Sequence, residues 1–421
     1  MTAPRTLAIP DAVLDIARRL EDAGFETWCV GGAVRDNLLG IPNADFDLAT
    51  AARPADVQRL FRRTVPVGLE HGTVAVLDRD NQQHEVTTFR RDVSTDGRHA
   101  VVEFGASVDE DLARRDFTIN AIAYHPFRHE WRDPFGGYTD LTRRLIRAVG
   151  DPRERFREDY LRILRALRFA ARFGFAIDAA TWDAARAETP GLAHLSAERV
   201  REEWFRGLAS AVKPSELAQL WADVGALDLW LPEVASGRGA VATDRGHPGA
   251  PGPAGAGAQG EPSVARAFGV LDRFVPRDPV LLTSHLSANP EVTLTRLKCS
   301  RAEIERGRRL QALRDEWPDP RSPAAVRRWM ARAGASVNDL VAVAVAEETH
   351  EGLEAAVAAV RASGAPLQIA DLAVSGDDLI AAGIPRGPAI GETLRRLLDR
   401  VLDEPALNTR EALIAMAREP H

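Results

Sequence analysis

Lysine is almost missing from this chain: of its 54 basic residues only Lys213 and Lys298 are lysine. That bias, with abundant Ala and Gly, points to a GC-rich genome more than to a function. Cysteine is as scarce, and Cys29 and Cys299, far apart in the chain, make neither a disulfide framework nor a zinc cluster. No segment approaches the roughly 18 unbroken apolar residues of a membrane span. The first residues, MTAPRTLAIPDAVLDIARRL, lack the basic n-region and apolar h-region of an export signal. A cytoplasmic protein with no membrane contact and no obligate protein partner is expected. Net positive charge is missing too: a balance of −7 argues against a nonspecific nucleic-acid coat. The charge is uneven, however, since residues 141–175 hold ten arginines against four acidic residues and could attract phosphates. At 421 residues the chain has room for about two to four domains.

The most informative stretch runs from Thr27 to Ala49. Thr27 to Val30 reads as a strand, broken by Gly31 and Gly32. A short helix from Ala33 to Leu39 follows, stopped by Gly40 and Pro42, and a second strand runs through Phe46 to Ala49. Glycine lets a backbone turn sharply while its N–H groups come close to a phosphate, so Gly31 and Gly32 make a candidate phosphate cradle. Arg35, a helical turn on, can aim its fork at the same anion. Asp45 and Asp47 alternate along the strand and share a face. Two adjacent carboxylates repel unless a cation lies between them, and hard oxygen donors suit Mg²⁺. A phosphate cradle beside a metal pair is the equipment of nucleotidyl transfer. Glu85, on a strand expected beside the Asp45/Asp47 strand, is either a third carboxylate for the metal or a cross-strand partner for an arginine.

Beyond these, strands are expected at Thr73–Leu77 and His84–Phe89, and helices from Pro54 to about Arg63, from Asp109, and from Thr118 to Ala123. From Pro152 onward the pattern is helical. Apolar residues at Phe156, Tyr160, Ile163/Leu164, Leu167 and Ala170/Ala171 recur with a period near 3.6. Residues 236–262 are rich in Gly, Pro and Ala, cannot bury enough to offset their ordering entropy, and read as a flexible loop. The expected architecture is α/β plus all-α. A head (1–145) with a small mixed sheet precedes a helical neck (146–210), a helical body (211–330) and a helical tail (331–421).

The string Val30-Gly-Gly-Ala-Val-Arg35-Asp36…Asp45-Phe-Asp47 resembles the signature of the polymerase-β-like nucleotidyltransferases, specifically the bacterial (class II) CCA-adding and poly(A) polymerase family. Three further segments carry the resemblance. Arg114-Arg115-Asp116-Phe-Thr-Ile-Asn120-Ala looks like the second family motif, which implies Arg115 on the triphosphate and Asp116 and Asn120 on the sugar or the local architecture. Asp133-Pro-Phe-Gly136-Gly137-Tyr-Thr-Asp140-Leu resembles the third, a hinge between head and neck. Glu158-Asp159-Tyr-Leu-Arg162 resembles the E-D-x-x-R motif, whose Asp and Arg read the incoming base; Asp159, Arg162, Arg165 and Arg168 recur every third residue as a polar stripe, and the motif position implies that Arg165 and Arg168 contact the nucleotide as well. Cytosine and adenine both show an amino donor beside a ring-nitrogen acceptor, which an Asp acceptor and an Arg donor complement. Uracil and guanine present the opposite polarity and would leave buried groups unpaired.

Two weaker matches follow. Glu198-Arg-Val-Arg-Glu-Glu203 resembles the fifth motif, read as helix packing. Ser375-Gly-Asp377…Gly391 is similar to the family's tRNA-gripping tail. The resemblance implies template-independent addition of CCA to the tRNA 3′ end from CTP and ATP, with Mg²⁺ and release of pyrophosphate. A poly(A) polymerase, an A-only enzyme and a non-catalytic tRNA-binding protein are the alternatives. Val67-Gly-Leu-Glu-His71-Gly-Thr-Val occupies the place of the basic string of poly(A) polymerases, and residues 91–99 fill the loop used to switch from C to A. No His-Asp dipeptide exists for the phosphohydrolase module of some relatives.

Overall fold

A computed structural model describes residues 4–68, 72–95, 100–236 and 268–419. The chain divides into two compact units, one ending at Trp230 and one beginning at Leu231.

The first unit is organised by a mixed sheet of seven strands. Its strands are β1 (Thr27–Val30), β2 (Asp47–Thr50), β3 (Thr64–Gly68), β4 (Thr73–Leu77), β5 (Gln83–Thr88), β8 (Ala123–His125) and β9 (Glu130–Arg132), in the order β3-β4-β5-β2-β1-β8-β9. Between them in sequence, β6 (Arg90–Thr95) and β7 (Ala100–Phe104) pair as a separate hairpin. All four residues of β1 are buried, as an apolar and β-branched run covered on both faces should be. The sheet packs Trp28, Val30, Ala49 and Ala123 against Phe89, Val108, Leu112 and Val149.

The register brings the informative residues to one end of this sheet. β1 and β2 are antiparallel with Val30 opposite Asp47, so the glycine turn that ends β1 meets the start of β2. β5 runs parallel to β2 with Leu48 opposite Val86, which sets Glu85 at the level of Asp47. β8 is antiparallel to β1 with Val30 opposite Ala123, so the 3₁₀ turn Thr118–Asn120 arrives at that same end.

Several helices enclose the sheet: α1 (Asp11–Asp22), α2 (Gly32–Leu38), α3 (Pro54–Leu60), α4 (Val108–Ala113) and α5 (Gly137–Arg143). Gly137 is required at the start of α5, because a Cβ there would stand 2.0 Å from the Thr118 carbonyl oxygen. Next in sequence come α6 (Pro152–Glu158), α7 (Leu161–Phe173), α8 (Ala179–Glu188), α9 (Ala197–Ser210) and α10 (Pro214–Val224). Among the described residues beyond 150 the sole strand is β11 (Ala176–Ile177), parallel to β10 (Leu145–Ile146).

The second unit is helical. Its helices Pro279–Leu286, Pro290–Arg296 and Pro323–Ala333 each begin with a proline behind a capping Asp278, Asn289 or Ser322. Each cap's side chain accepts a first-turn N–H, while the proline needs no partner for an N–H it lacks. Toward its end Leu372, Leu379, Leu397, Val401 and Leu413 form a common core.

Several expectations are corrected. The periodic run 155–173 is two helices, broken at Asp159 with φ −156° and ψ 105°. The Asp159 carboxylate accepts the Leu161 N–H at 3.1 Å, giving the backbone an alternative to continuing the helix. The polar stripe is therefore not one helical face. The second expected strand begins at Asp47, leaving Asp45 ahead of it, and Thr118–Ala123 is a 3₁₀ turn leading into β8. The helix from Pro54 stops at Leu60 because β3 starts at Thr64. Segment 91–99, read as a loop, contributes strand residues to β6, with 96–99 outside the described residues. Residues 69–71 of the Val67–Val74 string and 237–262 of the Gly/Pro/Ala-rich segment also lie outside them.

Candidate active site

Gly31, Asp47 and Arg115 converge. Gly31 adopts φ 78°, and a Cβ placed on it would lie 3.1 Å from an Asp47 carboxylate oxygen and 3.5 Å from the Arg115 guanidinium. Only glycine serves here, for both the backbone angle and the space. Gly32 opens α2 directly behind, its virtual Cβ 3.5 Å from Arg35.

Asp47 is half-buried, whereas Asp45 and Glu85 are exposed. Burial pushes the Asp47 carboxyl up to about 6, and the negative charges of Glu85 and Asp45 push the same way against Arg115. Three carboxylates thus crowd one end of the sheet with their charges unbalanced. Among the described residues no three acidic, His or Cys side chains converge into a ready-made metal cage. A carboxylate pair still fits a hard divalent cation, which can take its remaining oxygens from substrate phosphates and water. The residues present fit such an ion through Asp45 and Asp47, with Glu85 nearby.

Arg115 is held by a residue the motif reading passed over. Asp111, fully buried on α4, receives Arg114 at 2.7 Å and Arg115 at 3.1 Å. Burial alone would raise the Asp111 carboxyl, yet Arg115 and Arg114 hold it below the usual carboxylate range. The Arg115 Nε is buried with no hydrogen-bond partner among the described residues. Helical spacing of three and four residues could have revealed this clamp.

A second group ties head to neck. Arg35 is 4 % exposed and faces inward, donating to Asp36 at 2.6 Å and to Asn120 Oδ1 at 2.6 Å. Its guanidinium lies 5.0 and 4.9 Å from the ring centroids of Phe169 and Phe173. The expectation that Arg35 aims at an anion is therefore not met in this arrangement. Asn120 donates on to Asp116 at 2.9 Å, and Asp116 takes Arg165 at 2.6 Å. Against the effect of burial, Arg165 and the Asn120 hydrogen bond bring the Asp116 carboxyl down to about 2. Arg168 is buried and paired at 2.6 Å with Glu203 of α9, its guanidinium 4.3 Å from the Phe169 ring centroid.

A third group surrounds the helix break. Arg162 donates to the Arg155 carbonyl at 3.0 Å and the Arg114 carbonyl at 3.2 Å, and pairs with Glu158. Asp159 pairs with Arg199 of α9 at 2.7 Å. The Arg114 contact joins this group to the arginine pair beside Asp47.

The family model described as "Poly A polymerase head domain" matches residues 27–147. Residues 174–237 match "Probable RNA and SrmB- binding site of polymerase A", and 280–417 match "tRNA nucleotidyltransferase domain 2 putative". The CCA-adding enzyme of Lacticaseibacillus paracasei is 34 % identical over 420 residues, with 98 % of both chains covered. That of Geobacillus kaustophilus is 35 % identical, covering 97 % of this chain and 96 % of its own. The solved CCA-adding enzyme of Bacillus stearothermophilus in complex with CTP is 30 % identical, with TM-score 0.77 over 97 % of this chain and 96 % of that one. At 20 % identity and TM-score 0.65, the Thermotoga maritima CCA-adding enzyme complexed with tRNA shares the fold. With relatives this similar along nearly its whole length, the chain belongs to the family of CCA-adding tRNA nucleotidyltransferases.

Proposed function

We propose that this chain completes the 3′ end of tRNA with C, C and A, taken from CTP and ATP without a nucleic-acid template. The observation that carries it is the meeting of the Gly31 turn, the Asp47 carboxylate and the clamped Arg115 at one end of the sheet, with Arg162 reaching the Arg114 carbonyl beside them. The tRNA 3′-hydroxyl attacks the nucleotide α-phosphorus in line; a new O–P bond forms, the bond to the β-phosphate bridging oxygen breaks, and pyrophosphate leaves. Arg115 balances charge on the triphosphate, and the backbone at Gly31 and Gly32 lets the phosphates approach closely. Asp45 and Asp47 would hold Mg²⁺, which when bound supplies charge neutralisation and a more acidic hydroxyl. Asp116 and Asn120 shape the sugar side, while Arg35 and Arg165 brace them from behind. Asp159 accepts from the base amino group and Arg162 donates to the ring nitrogen.

We assign residues 1–145 to the head, 146–210 to the neck, 211–330 to the body and 331–421 to a tail that grips tRNA. Such a substrate suits a cytoplasmic protein. The names of the relatives favour CCA addition over the poly(A) and A-only alternatives. Asp45→Ala tests the reading: nucleotide incorporation into tRNA should vanish while tRNA binding, followed by gel shift, stays nearly unchanged. Substantial residual incorporation would overturn the metal assignment.

A further inference from the structure

The fifth-motif helix reaches the base-reading carboxylate. Asp159 lies in extended backbone between α6 and α7, where no helix constrains its side chain. Both carboxylate oxygens are nevertheless tethered. Oδ1 accepts the Leu161 N–H at 3.1 Å, and Oδ2 accepts from Arg199 Nη2 at 2.7 Å. The first tether comes from its own turn, the second from α9. A terminal carboxylate turns over a broad range of torsion, so a single tether leaves it a spread of orientations and two leave one. Each oxygen still has a second lone pair, so the group can accept a base amino hydrogen while held.

The pair is poorly placed to serve stability. Its side chains are 34 % and 27 % exposed, and ion pairs that meet water contribute little to folding. The anchoring of α9 is done elsewhere. Glu203, one helical turn beyond Arg199 and on the same face, makes the buried pair with Arg168 of α7. Glu203 thus fixes the helix, and Arg199 extends from that fixed helix to Asp159.

We propose that Arg199 is a positioning residue for base selection. It holds the Asp159 carboxylate in one orientation, matching the amino group of cytosine or adenine and opposing the carbonyl of uracil or guanine. This rests on the base-reading role proposed for Asp159. Arg199 takes no part in the attack on phosphorus, because charge there is balanced by Arg115 and by the metal that Asp45 and Asp47 would hold.

The test uses the full chain, with tRNA lacking CCA and tRNA ending in CC, and each of the four nucleotides supplied singly. Single-turnover rate and apparent affinity are measured for wild type, Arg199→Ala, Arg199→Lys and Asp159→Ala, with a thermal melt of each protein. Arg199→Ala should shrink the preference for CTP over UTP and for ATP over GTP by about tenfold, the scale expected for a charged hydrogen bond. Arg199→Lys, which keeps the charge and one donor, should recover most of that preference. The proposal is overturned if Arg199→Ala slows all four nucleotides equally while Asp159→Ala relaxes selectivity, since Arg199 would then only pack the helix. If Asp159→Ala itself leaves selectivity intact, the base-reading role fails, and the inference built on it falls for that separate reason.

Discussion

Glu203→Ala should be among the most destabilising single changes in the first unit. The Arg168 and Glu203 side chains are 8 % and 5 % exposed and meet at 2.6 Å, so deleting the carboxylate strands a guanidinium out of water. Breaking one partner of a buried pair costs about 3–5 kcal/mol, whereas replacing both by apolar groups of similar size is close to neutral. The comparison is therefore Glu203→Ala against the double variant Arg168→Met with Glu203→Leu. Equilibrium unfolding in urea reads the difference, and Trp204, fully buried next in sequence to Glu203, gives a local fluorescence signal. With a denaturant slope of about 1–3 kcal/mol per molar, the single variant should lower the midpoint by about 1 M or more. The double variant should recover most of it. It should also keep wild-type nucleotide affinity and base preference, because the Arg168 guanidinium is spent inside the fold, on Glu203 and the Phe169 ring. A midpoint shift of only a few tenths of a molar, or a double variant no better than the single, would refute the structural role. Loss of nucleotide affinity in the folded double variant would return Arg168 to the nucleotide-contacting role that its motif position implied.

Other perturbations separate cradle, clamp and brace. Gly31→Ala combines a backbone strain of about 1–3 kcal/mol with a methyl 3.1 Å from the Asp47 carboxylate, so both melting temperature and turnover should fall; an unchanged turnover would contradict the convergence at Gly31. Asp111→Asn weakens the hold on Arg114 and Arg115 and should raise KM for CTP and ATP alike by about tenfold, without altering base choice; a change in selectivity instead would mislocate the clamp. Asp116 is ionised in the fold down to about 2 and normally titrates near 3.8, so its contribution is present above pH 4 and lost as pH falls toward 2. Asp116→Asn should therefore be about 2 kcal/mol less stable at pH 7, with the gap to wild type closing between pH 4 and pH 2. A gap constant with pH would remove the ion pair as its cause.

What could be read from the sequence is what depends on short spacing. The glycine turn and the Asp45/Asp47 pair are local, and the strand bearing Glu85 carries the β-branched run Val86-Thr87-Thr88. The helix break at Asp159 was missed because the apolar period continues through Tyr160, whose ring packs where a Cβ on Gly191 would come within 2.0 Å. Tertiary packing chose the turn over a period that suited a helix. β8 and β9 were missed for a related reason: each is three residues long and exists by tertiary pairing, β8 on the edge of β1 and β9 on β8. Partners distant in sequence were illegible altogether. Arg35 with Asn120, Arg172 with Asp36, Arg168 with Glu203 and Arg199 with Asp159 are each joined across two elements, and no single-chain pattern pairs one arginine among so many with a given acid. The Asp111 clamp lay within reach, at a spacing of three and four residues across the end of α4.

The most direct test of the account gives the purified protein tRNA ending at the discriminator base, at the first C or at the second C, with each nucleotide singly and then CTP with ATP. The account predicts two C residues on the first substrate, one C on the second, a single A on the third, and the complete CCA end when both nucleotides are present, with UTP and GTP unused. Failure to incorporate CTP, or growth of a long A tail on unrelated RNA, would contradict it.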